Sequence, residues 1–137
     1  MTQMFDVRQG LQDARVDREG AWRFIRGFAH AWVEPLGDGD GFSEEDLAAA
    51  QERLGVRLPA ALGEMYHLLG RREDLTSNHD RLLPPDQLYI DARGQALVFR
   101  EENQGACSWG VLLEDLDQAD PGVHVLADLA DRQAQRW

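Results

Sequence analysis

The stretch FSEEDLAAAQERLGVRLPAALGEMYHLLG, residues 42–70, decides the fold. Ser43-Glu44-Glu45-Asp46-Leu47 reads as a helix start. The Ser43 hydroxyl can accept from a first-turn amide, and Asp46 can answer as in a capping box. Gly55 supplies the left-handed residue that ends such a helix. Pro59, which has no amide hydrogen to leave unpaired, opens a second helix running to Gly70. Leu47, Ala50 with Gln51, and Leu54 set one face of the first helix. Leu62, Met65, Tyr66 and Leu69 set one face of the second. The short link makes the two helices packed neighbours, with Glu64 and His67 on the wet side.

Upstream, residues 1–16 read as a poorly ordered or short helical N-terminus, with a helical turn at Leu11–Arg15. Asp17 is the N-cap of a helix that carries Trp22, Ile25, Phe28, Ala29 and Trp32 on an apolar stripe, with Phe24 off it. Pro35 ends this helix. Gly37-Asp38-Gly39-Asp40-Gly41 is a turn-rich link. As a calcium loop counted from Asp38 it fails, because position six is Ser43 where glycine is needed.

Downstream, Arg72–Pro85 reads as a long loop, of the kind that often carries function. Leu88–Ile90 and Ala96–Phe99 flank a hairpin turn at Asp91-Ala92-Arg93-Gly94. Ala106–Leu113 is a strand with Cys107, Trp109, Val111 and Leu113 on one face, and Gly110 marks a bulge or a close approach. The acidic run Glu114–Asp120 is a solvated link, and Val123–Leu126 is a further strand. Helices followed by an antiparallel meander make an α+β domain over residues 17–137, its N-terminal helices packed on the sheet.

At 137 residues the chain can bury about 70% of its unfolded surface. With 14 basic against 25 acidic residues the net charge is −11, and every basic residue is arginine. Phosphates and anionic membranes repel such a chain, so neither nucleic acid nor membrane is expected as a partner. No basic start followed by an apolar run opens the sequence, and no apolar stretch could span a bilayer, so a cytoplasmic protein is expected. A lone Cys107 excludes an internal disulfide and any zinc site built on paired cysteines, and reads as a buried structural thiol.

No phosphate loop, His-x-x-x-His pair or nucleophile elbow is present. His30, His67, His79 and His124 fall in four different elements, so no metal, cofactor or catalytic residue is expected. Glu101-Glu102 are neighbours on a strand, pointing to opposite faces rather than at one substrate.

Several blocks together resemble the helical signature of the SUKH superfamily, named for its Syd, herpesviral and Knr-type members. They are Ser43–Leu47, Ala50–Val56, Leu58–Leu62 with Tyr66, and Gly70. Later blocks agree in order: Leu97–Phe99 with Glu101–Gln104, then Trp109-Gly110-Val111, then Asp120-Pro121 with Val123. Gly122 stands where a second proline is common. Relatives run on beyond the equivalent of Trp137, so the domain either lacks that C-terminal end or is a minimal member of the kind. The resemblance implies a non-catalytic protein-binding domain, most concretely an immunity protein that neutralises a basic bacterial toxin. A stand-alone regulatory or scaffold protein is the other reading. The expected contact residues are acidic and loop-borne: Asp74, Asp80, Glu101, Glu102, Asn103, Asp115, Asp117 and Asp120.

Overall fold

A computed structural model describes residues 4–127 and 135–137. The chain divides into two compact units, Met1–Asp38 and Gly39–Trp137, so the division follows the helix begun at Asp17 instead of preceding it.

In the first unit, α1 (Val7–Ala14) and α2 (Arg18–Trp32) form a helical hairpin. Of the two expectations for this segment, poorly ordered or a short helix, the chain takes the helix, which starts at Val7 and so ahead of the turn placed at Leu11–Arg15. Asp6 caps α1 through the Gln9 amide, and Asp17 caps α2 through the Gly20 amide. An aromatic cluster decides the packing. Phe5 meets Phe24 at 5.6 Å and Trp32 at 5.9 Å between ring centroids. Phe24, off the α2 stripe, therefore faces the N-terminal segment. Gly27 is required there, because a Cβ would stand 2.4 Å from the Phe5 ring.

In the second unit, α3 (Glu44–Leu54) carries the full capping box between Ser43 and Asp46, and Gly55 closes it at φ 70°. Next, α4 (Ala60–Leu69) begins one residue later than expected, with Pro59 as its cap. The region read as a loop holds a single helical turn, α5 (Glu73–Thr76), and a two-residue strand, β1 (Arg81–Leu82). The remaining strands are β2 (Tyr89–Ile90), β3 (Ala96–Glu101), β4 (Cys107–Leu112) and β5 (His124–Ala127). All pairings are antiparallel, in the order β1-β3-β4-β5, and β2 shares the β1 side of β3. The second unit is thus an α+β fold with its helices ahead of its sheet.

The core joins Leu62 and Tyr66 of α4 to Leu82, Leu83, Leu88, Leu97 and Val98, with Leu47, Leu54 and Met65 packed against them. Arg53 fastens α3 to the segment before β2, its Nη2 donating to the carbonyls of Pro85 at 3.0 Å and Leu88 at 2.9 Å. The register of β3 on β4 shifts between Val98 and Arg100, so the irregularity is on β3 and not at Gly110. Gly110 answers to the other expectation, close approach. A Cβ there would meet the Leu97 carbonyl at 2.8 Å and the Trp137 ring at 3.2 Å. Leu113 leaves the β4 alternation for a 3-10 turn, yet still packs on the core.

The hairpin turn is held by one carboxylate. Asp91 accepts from the amides of Gln95 at 2.7 Å and Ala96 at 2.9 Å, and from the Trp137 indole at 3.1 Å. Burial pushes its carboxyl up, but the Ala96, Gln95 and Arg93 amides and the Trp137 indole together hold it below the usual 3.8. A folded-state value below the unfolded one stabilises above the unfolded value, and the contribution is lost as pH falls through the folded value. Urea unfolding between about pH 5 and pH 2 should therefore show a steeper loss of stability for the native chain than for Asp91→Asn. Parallel slopes would remove Asp91 from this role.

Candidate functional site

A groove of about 780 Å³ opens between the segment after α4 and the end of β3. The residues around it include Phe42, Arg71, Glu73, His79, Glu101 and Asn103. Its first wall is set by Arg72, which grips the Asp74 carboxylate through Nε at 2.8 Å and Nη2 at 2.9 Å. The same guanidinium donates through Nη1 to Asp40 at 3.0 Å, so one side chain fixes both ends of the segment 40–74. The hydrogen bond from Arg72 holds the Asp74 carboxyl below its ordinary range. The wall continues through Thr76, whose hydroxyl donates to the Arg72 carbonyl, and Ser77, whose hydroxyl oxygen accepts the Leu82 amide at 3.3 Å.

The opposite wall comes from the β3–β4 turn. Glu101 accepts the Tyr89 hydroxyl at 2.9 Å and stands 3.9 Å from Arg81. Glu102 borders the same groove, although strand alternation would send it to the opposite face from Glu101, and its Oε2 accepts the amides of Gln104 at 2.9 Å and Ala106 at 3.0 Å. Asn103 is exposed at the turn's tip. On the Phe42 side, Arg71 stacks over that ring at 4.6 Å and reaches Asp46 at 3.8 Å.

Of the expected contact residues, Glu101, Glu102 and Asn103 line the groove. Asp80 follows His79 at its margin, while Asp74 is committed to Arg72. Asp115, Asp117 and Asp120 belong to another surface. The Ala119 carbonyl in that run takes the Ala61 amide at 2.8 Å, at the start of α4, whereas the groove borders its end at Gly70. Ten helical residues separate the two places by about 15 Å.

Sequence reasoning marked the Arg72–Pro85 loop that supplies Glu73, His79 and Arg81 but singled out none of the three, and it missed Arg71. It also treated the histidines as isolated, yet the ligand atoms of His79, Asp80 and Glu102 lie within 4.8 Å of one another. Asp80 Oδ1 is buried and, among the described residues, has no hydrogen-bond partner. An unpaired buried acceptor costs about 1–3 kcal/mol. Cys107, expected to be buried, is half-buried.

No family model, curated protein or solved structure matches the chain. The groove's own chemistry is the guide to its role. No helix among the described residues is long and apolar enough to cross a membrane.

Proposed function

We propose that this chain is a non-catalytic, cytoplasmic protein-binding domain of the SUKH kind, an immunity protein that binds and neutralises a basic bacterial toxin. The observation that carries the reading is the groove itself. It draws the segment after α4 and the β3–β4 turn, far apart in sequence, onto one surface with Glu73, Glu101, Glu102 and Asn103. The two arginines beside them are engaged within the fold, Arg71 by Phe42 and Asp46, and Arg81 by Gln87 and Glu101. Arg81 and Glu101 offset each other in the same way, so Glu73 and Glu102 are the carboxylates left to draw a basic partner. A net charge of −11 adds long-range attraction for a basic partner, which raises the encounter rate and falls away with salt.

The test is co-expression with the product of the adjacent gene. Relief of growth arrest and a complex in a pull-down are expected, with both weakened when Glu73 and Asn103 are replaced by arginine. Absence of rescue and of any complex sinks the toxin reading. Capture of a different cellular protein through the same two positions would leave a regulatory binding domain in its place.

A further inference from the structure

Three strand ends align their side chains beside the groove. β1 pairs with β3 at Arg81↔Glu101, and β3 with β4 at Glu101↔Ser108. Continued one step past the paired residues, that register sets Asp80 against Glu102, and Glu102 against Cys107, whose carbonyl accepts the Glu102 amide at 3.0 Å. Residues directly opposite in an antiparallel ladder project from the same face. His79, exposed and next in the chain to Asp80, brings its ring to the same point.

We propose that His79, Asp80 and Glu102 bind a divalent transition-metal ion of the zinc class. Their ligand atoms are already gathered within 4.8 Å. Ligands about 2.0–2.2 Å from zinc in a tetrahedral shell sit roughly 3.4 Å apart, so a small inward rotation of the exposed His79 completes the approach. Asp80 Oδ1 is the second observation. It is a buried acceptor without a donor, although Arg100 is near enough to bond the Asp80 carbonyl at 3.2 Å. Neither Asp80 nor Glu102 is ion-paired among the described residues.

Glu102 is held in place for the task. Its Oε2 is fixed by the Gln104 and Ala106 amides, the kind of outer support that orients a metal ligand. An imidazole in the set selects against calcium and magnesium, which take oxygen ligands, and suits zinc and its neighbours. A bound ion would tie the turn at residues 77–80 to the β3–β4 turn. This proposal does not depend on the toxin partner.

The experiment is a calorimetric titration of the chelator-treated full chain with Zn²⁺, alongside His79→Ala and Asp80→Asn. The native chain should bind one ion, and each variant should bind at least about tenfold more weakly. Added Zn²⁺ should also raise the native urea midpoint while leaving those of the variants in place. His79 is exposed and makes no hydrogen bond among the described residues, so His79→Ala decides the matter even if Asp80→Asn disturbs the fold. No binding by the native chain overturns the proposal. Equal binding by His79→Ala does so too, because it assigns the ion elsewhere.

Discussion

Replacing Gly41 by alanine should cost the second unit about 3 kcal/mol or more, beyond the usual range for overpacking. A Cβ at this position would stand 1.5 Å from the His67 carbonyl oxygen. Neither side can easily yield. The Phe42 amide donates to the Tyr66 carbonyl at 2.9 Å, and the Arg71 amide to the Asp40 carbonyl at 2.8 Å, pinning the chain across the end of α4. Gly63, on the same helix, has nothing within 4 Å of its Cβ position, so the constraint belongs to the crossing and not to the helix. Urea unfolding followed by tryptophan fluorescence measures the change. A loss no larger than about 0.5 kcal/mol, typical of an ordinary surface substitution, would deny the close crossing.

Tyr66→Ala should be more severe still, at about 4–5 kcal/mol, because removing a buried aromatic ring leaves a cavity. The side chain is fully buried, faces Phe42 at 6.1 Å, and donates its hydroxyl to the Leu83 carbonyl. Burial holds the phenol well above its ordinary value, offset only in part by Arg100, so it remains a donor throughout the range in which the protein folds. Tyr66→Phe keeps the ring and removes the donor. It should lose about 1–2 kcal/mol, the cost of leaving a buried carbonyl unpaired. Equal losses in the two variants would place the whole effect in the hydrogen bond. A near-neutral Tyr66→Phe would place it all in packing.

The sequence was most legible where a local rule had one answer. Ser43 and Asp46 cap α3 because their spacing matches one helical turn, and Gly55 ends it because it tolerates positive φ. The faces of α3 and α4 followed from periodicity for the same reason. Phe5 was missed because its partners, Phe24 and Trp32, lie on another helix, and no local period reveals a ring folded back onto Gly27. β1 was missed because two residues carry no alternation. It exists only through its pairing with Arg100 and Glu101.

The same limit governs the groove. Glu101–Asn103 could be named from the turn, but His79 gains its neighbours from cross-strand register, which a linear scan does not contain. Asp115–Asp120 show the converse. Their charge matched the expected surface, while the Ala119–Ala61 hydrogen bond puts them at the far end of α4.

The outer side of β3 is divided between β1 and β2, with Pro84 and Pro85 in the chain between them. A foreign strand docking there would find two residues of ladder, a charged Arg81, and then two prolines with no amide hydrogen to offer. The interruption that gives the groove its wall thus also denies this edge to runaway pairing. Two dipeptide strands and a proline pair thus leave this edge too short and too interrupted to template a long ladder.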